Sequence, residues 1–188
     1  KILKRIYLSA ERPNNITNDM LDALEIEGGL LKFQFTDASV KEIIKETIDT
    51  LKPNYDEKGI YVKFLPEKDV PETIKVEPNY IRQVFMNVID NACKYTREGG
   101  VEIFLKNNEK YVDIVVKDTG VGVSEEDQKR LFEKFTRGKN AIKENASGSG
   151  LGLFIAKKIV EKHHGKMKFY SGGVGKGSTV TISLLAEK

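Results

Sequence analysis

Between Lys1 and Glu27 the apolar positions Leu3, Ile6, Ala10, Pro13, Met20 and Leu24 advance in alternating steps of three and four, with Thr17 in the remaining place of the seam. A heptad-like stripe of this kind predicts one helical arm over residues 1–29, ended by Gly28 and Gly29. Pro13 lacks a backbone donor, so a kink is expected near Ala10 to Arg12. A single amphipathic arm cannot bury its own seam. It predicts a helical bundle completed by chain outside this sequence or by a second subunit.

From Leu30 the grammar changes to that of a mixed α/β domain over residues 30–188. Lys32 to Phe35 is predicted as a short strand. Ser39-Val40-Lys41-Glu42 has the form of a capping box before the stripe Val40, Ile43, Ile44, Ile48 and Leu51, with Pro53 expected to close that helix. Strands are predicted at Ile60 to Leu65 and Thr73 to Val76, and a pair at Val101 to Lys106 and Tyr111 to Lys117 joined across Asn107-Asn108. Pro78 opens a helix to about Thr96, Ser124 caps one to about Phe132, and Leu151 to His163 is a helix ended by Gly165. Two last strands follow at Lys166 to Tyr170 and Ser178 to Leu184. Arg137 to Ser149 is polar and aperiodic and contains Gly138, which predicts a long mobile loop.

Composition narrows this picture only a little. A chain of 188 residues suffices for one full core plus an appended element. Hydrophobic residues at 39% and charged residues at 31% are those of an ordinary globular protein, and a net charge of +3 is too mild to imply nucleic acid. Cys93 is the single cysteine, which excludes an internal disulfide framework. No apolar run approaches the roughly 18 residues of a membrane span. A cytoplasmic, reducing setting is expected, with any membrane attachment left to upstream segments. The first residue is Lys1, so the chain is expected to be a piece of something longer.

The candidate chemistry lies in three clusters. Gly148, Gly150 and Gly152 partly match the dinucleotide fingerprint, but that motif sits directly after a strand, whereas a polar loop precedes here. What remains is either a flexible loop closing onto a helix or a helix start whose free N–H groups and dipole favour phosphate. Asp118-Thr119-Gly120-Val121-Gly122 follows a predicted strand and presents a carboxylate at its end. An ionised carboxylate only accepts hydrogen bonds, which suits an exocyclic amine such as that of adenine, although an ordinary turn has the same letters. On the helix from Pro78, Asn87, Asn91 and Lys94 lie within roughly 60° of one another at about 100° per residue, bordering the apolar stripe Ile81, Val84, Val88, Ala92 and Tyr95. An Asn oxygen suits Mg²⁺ and a lysine suits phosphate, while a solvated face is the plainer alternative.

Taken together and in this order, the clusters resemble the catalytic and ATP-binding domain of sensor histidine kinases, in the GHKL superfamily. Asn87-Val-Ile-Asp-Asn91-Ala-Cys-Lys94-Tyr95-Thr resembles the N box and Asp118-Thr-Gly120-Val-Gly122 the first glycine box. Leu131-Phe132-Glu-Lys-Phe135-Thr-Arg137 resembles the F box, and Gly148-Ser-Gly150-Leu151-Gly152-Leu the second glycine box. The resemblance covers about Leu30 to Leu185, and Asp22 to Gly29 is similar to the end of the second helix of the family's dimerization and phosphotransfer domain.

The resemblance implies an α/β two-layer sandwich, a mixed sheet covered by helices on one face, with ATP between helices and a lid. It implies that Asp118 binds the adenine amine, Asn91 ligates Mg²⁺ with Asn87 close by, and Lys94 and Tyr95 contact phosphates or ribose. Arg137 would reach the γ-phosphate, Gly148 to Gly152 would cradle phosphates, and Phe135 would anchor the lid, although Phe132 and Phe135 read by themselves as core aromatics. Relatives that hydrolyse ATP carry Glu where Asn87 stands. An amide cannot activate water as a carboxylate can, so a kinase is expected before an ATPase subunit or a non-catalytic nucleotide-dependent module. His163 and His164 precede Gly165 at a helix end and read as capping cations rather than phosphoacceptors. The acceptor histidine is thus expected outside the chain, the partners being a response regulator receiver domain and a second copy, paired through the arm plus a missing helix.

Overall fold

The computed structural model describes residue 17 and residues 19–138 and 148–186. Helix α1 covers residues 19–27. It ends as the glycines predict: the Gly28 N–H bonds the Leu24 carbonyl, and Gly29 adopts φ +66°. The kink expected at Pro13 lies outside the described residues. Ala23 and Ile26 are buried on the domain, whereas the seam residues Met20 and Leu24 remain 45% and 62% exposed.

The domain is built on a mixed sheet of five strands in the order β2-β4-β5-β7-β6. These are β2 (Tyr61–Pro66), β4 (Gly100–Asn108), β5 (Tyr111–Asp118), β6 (Lys166–Tyr170) and β7 (Ser178–Leu185). Only β2 and β4 run parallel. The strands alternate as half-buried strands must: Val101, Ile103 and Leu105 on β4, Val112, Ile114 and Val116 on β5, and Val180, Ile182 and Leu184 on β7 are all buried. Helices α2 (Val40–Lys58) and α3 (Pro78–Tyr95) pack against each other, and α5 (Gly152–Lys162) packs on α3. Their apolar stripes meet the buried side of the sheet, which is the expected two-layer α/β sandwich. A short α4 (Glu125–Gln128) follows β5, and β1 (Thr36–Ala38) pairs antiparallel with β3 (Ile74–Val76) as a separate ribbon. Among the described residues no helix is long and apolar enough to cross a membrane.

Several boundaries differ from the sequence reading. Residues 32–35 are not a strand; Phe33 packs instead on the Tyr80 ring at 4.7 Å, and pairing begins at Thr36. Helix α2 runs through Pro53 to Lys58. Pro53 lies on the exposed side, where a lost backbone bond is made good by water, while Leu51 and Tyr55 anchor the helix before and after it and Gly59 ends it at φ +69°. The β4–β5 turn is Glu109-Lys110 rather than Asn107-Asn108, with Asn108 opposite Tyr111 and Glu109 at φ +50°. Ser124 caps α4, but that helix stops at Gln128.

The expectation of a capping cation at His163 is also corrected. His163 is 4% exposed, and its Nε2 accepts the Glu77 backbone N–H at 3.0 Å. Only a neutral ring accepts, so Nδ1 carries the proton and donates to the Ile159 carbonyl at 2.8 Å. Burial pushes its pKa down. The ring also meets Phe33 and Phe35 edge-on at 5.4 and 5.1 Å, so it joins the end of α5, the start of α3 and the segment after α1.

Candidate functional site

A cavity of about 280 Å³ opens between α3, the end of β5, residues 121–138 and residues 148–153. Its walls include Asn87, Asn91, Lys94 and Tyr95 from α3, Asp118 and Gly122 from the turn after β5, Arg137, and Gly148, Gly150 and Gly152 before α5. Residues from four segments far apart in sequence therefore face one space. Gly120, Leu151 and Phe135 are not brought to this wall. Leu151 is fully buried, and Phe135 is 61% exposed and so is not a core aromatic. Phe132 is only partly buried beneath the Lys157 ammonium.

The cavity has two chemically different ends. At one, Asp118 Oδ1 accepts the Gly120 N–H at 2.8 Å and the Ser178 N–H at 3.1 Å. Burial pushes the carboxyl above the ordinary range, and these two N–H donors oppose the rise. A further donor from a ligand would favour the ionised form. A side chain on Gly120 would meet the Tyr95 carbonyl oxygen at 2.4 Å, which explains why only glycine lets this turn close against the end of α3. The turn is held from behind by a network absent from the sequence reading. The Gln128 amide donates to the Val123 and Ser171 carbonyls, both at 3.0 Å, and its oxygen accepts the Ser171 N–H at 3.0 Å. Ser171 Oγ accepts the Val123 N–H and donates to the Gly177 carbonyl at 2.6 Å. The loop 171–177 before β7 is thereby joined to the turn that presents Asp118. The glycine-rich run from Gly172 to Gly177 was the available signal for this.

At the other end, the Asn87 amide nitrogen is buried without a hydrogen-bond partner. A buried donor left open costs about 1–3 kcal/mol unless a ligand accepts from it. A Cβ on Gly152 would come 3.3 Å from Asn87 Oδ1, so α5 begins against this amide. Lys94 pairs with Asp90 one turn earlier. Lys58, at the end of α2, donates to the Cys93 and Lys94 carbonyls at 2.8 and 2.6 Å, which satisfies the last turn of α3 and steadies Lys94 and Tyr95. Gly150 takes φ +73° with its backbone against Phe135, which itself sits at φ +57°. That contact joins the two ends of the expected loop, whose residues 139–147 lie outside the described ones. Asp19 of α1, on the same wall, had no signal in the sequence.

Comparison with known proteins bears on the family and the fold. The sequence model of the family described as histidine kinase-, DNA gyrase B-, and HSP90-like ATPase matches residues 76–188. The signal transduction histidine-protein kinase BarA of Escherichia coli (strain K12) is 31% identical over 90% of this chain and 19% of its own length. The sensor histidine kinase GacS of Pseudomonas protegens is 31% identical over 97% of this chain and 20% of its length, so the chain spans about a fifth of these relatives. The peroxide stress-activated histidine kinase mak1 of Schizosaccharomyces pombe is 32% identical over 97% of this chain and 12% of its own length. Among solved structures, full-length ShkA in complex with AMPPNP superposes with a TM-score of 0.82 at 24% identity, over 98% of this chain and 39% of that one. The Acinetobacter baumannii histidine kinase AdeS superposes with a TM-score of 0.80 at 19% identity, over 99% and 84%.

Proposed function

The chain belongs to the family of histidine kinase-, DNA gyrase B- and HSP90-like ATPases, and from that premise we propose that it is the ATP-binding catalytic part of a sensor histidine kinase. The observation that carries the reading is the two-ended cavity. A partly buried carboxylate suits a base amine at one end, and an open amide donor, a lysine and a helix start suit phosphate at the other. ShkA, whose structure holds AMPPNP, supports the ligand class.

In this reading Asp118 selects adenine, and its two backbone donors leave its Oδ2 for the base. Asn87, with its unpartnered amide, donates to phosphate oxygen. Asn91 offers a hard amide oxygen for Mg²⁺, and the cavity's donor set of amide and carboxylate oxygens fits that ion. Mg²⁺ supplies charge neutralisation for the phosphates when bound. Lys94 and Arg137 add positive charge near the terminal phosphate, while Gly148 to Gly152 let backbone N–H groups approach it. Transfer breaks the bond between the γ-phosphorus and the oxygen bridging to ADP and forms one to a nitrogen of a histidine outside the chain. From there the phosphoryl passes to an aspartate of a response regulator receiver domain. The chain contributes position and charge, and Asn87 provides no base to activate water. Helix α1, residues 19–27, is read as part of a helical hairpin through which two copies pair.

Calorimetric titration with Mg-ATP tests the assignment. Asp118→Ala and Asn91→Asp should each abolish measurable binding, and unchanged affinity in both sinks it.

A further inference from the structure

The cavity wall holds one acidic side chain that comes from outside the α/β domain. Asp19, on α1, accepts a hydrogen bond at 2.6 Å from Ser149 Oγ, and that same oxygen accepts the Leu151 backbone N–H at 3.2 Å. Through one hydroxyl, the carboxylate draws on the partial positive charge at the start of α5. That is the position where an anionic ligand group gains most. Burial pushes the Asp19 carboxyl up and Asp22 adds to the rise, whereas Ser149 and the Lys94 ammonium favour its ionised form. Asp19 thus draws on the same lysine and helix start that a terminal phosphate would use.

Other contacts hold α1 in this place. Gln83 donates to Asp22 Oδ2 at 2.5 Å, and Lys134 pairs with Glu27. Ala23 and Ile26 are buried beneath. Helix α1 therefore touches the chain on both sides of residues 139–147, at Lys134 and at Ser149.

We propose that Asp19 is a specificity-determining residue of the nucleotide site, disfavouring a terminal phosphate, so that docking of α1 through Ser149 and binding of a triphosphate oppose one another. This rests on the nucleotide reading above. Like charges in a partly buried cavity repel more strongly than in water, so a triphosphate that takes the start of α5 displaces Asp19. Coupling of this kind is reciprocal: whatever holds α1 in place weakens triphosphate binding by the same factor that the triphosphate weakens docking. Adenosine has no phosphate and uses only the Asp118 end.

Calorimetric titration of the 188-residue chain and its Asp19→Asn variant with adenosine, ADP and Mg-ATP provides the test. The variant should bind Mg-ATP about five-fold or more tightly, ADP with a smaller gain, and adenosine unchanged. A Mg-ATP affinity that falls or stays the same, or an equal gain for adenosine, overturns the proposal. Failure of both proteins to bind any of the three ligands overturns the nucleotide reading and this proposal with it, and differs visibly from unaltered Mg-ATP binding. Hydrogen exchange on the unsubstituted chain is an independent readout. Amides 19–27 should exchange faster with Mg-ATP and no faster with adenosine; slower or unchanged exchange with Mg-ATP overturns the idea.

Discussion

His163 shows how a single residue's chemistry depends on its neighbours. Its ring is held neutral by accepting from Glu77 and donating to Ile159, and burial lowers its pKa below the ordinary 6.5. The unfolded chain therefore binds this proton more readily than the folded one. The stability contributed is present above pH 6.5 and is lost as pH falls through the lowered value. Asp19 and Asp118 act in the opposite sense, because their raised values favour the protonated folded form. The comparison with His163→Gln isolates the histidine. We expect the denaturation midpoint of the unsubstituted chain to drop more steeply between pH 7 and 5 than that of the variant, as measured by urea unfolding. Parallel curves would place no such proton linkage at position 163.

At the scale of elements, the base end of the cavity depends on loops being fastened to one another. Gln128 supplies two donors and an acceptor that join residue 123 to residue 171, beside the Ser171 hydroxyl that accepts the Val123 N–H. Gln128→Glu keeps the shape but turns two donors into an acceptor facing two carbonyls. Nucleotide affinity should fall about ten-fold or more, the cost of losing one or two buried hydrogen bonds, with the circular dichroism spectrum retained. Full affinity with Glu at this position would mean that the network does not position Asp118. Apart from the glycine-rich run between Gly172 and Gly177, this network left no trace in the sequence, because most of its partners are backbone groups, which carry no letter. By contrast, α3 and its polar stripe were legible, since a period of 3.6 and three polar side chains on one face are local properties. The strand at Thr36 was missed for a related reason: apolar Phe33 and Phe35 follow a strand-like alternation but serve tertiary packing on Tyr80 and His163. Pro53 misled because its local rule holds only where the lost bond cannot be replaced, and that residue faces solvent.

For the whole molecule, the decisive property is what the chain does with the terminal phosphate. A helix bearing a phosphoacceptor histidine, supplied in trans with γ-labelled ATP, should become labelled with acid-labile phosphate. The chain alone should release little inorganic phosphate, because an amide stands at position 87. Rapid phosphate release without labelling would assign the chain to the hydrolysing branch of its family. The order of strands has a consequence of another kind. β7 lies inside the sheet between β5 and β6, and its first residue, Ser178, donates one of the two backbone hydrogen bonds to Asp118. Of the strands in this sheet it is the last in sequence. The carboxylate thus waits for the last strand of its own sheet to be synthesised, and a nascent chain stopped before Ser178 carries every sequence box of the site yet lacks one of the two donors that complete the proposed adenine seat.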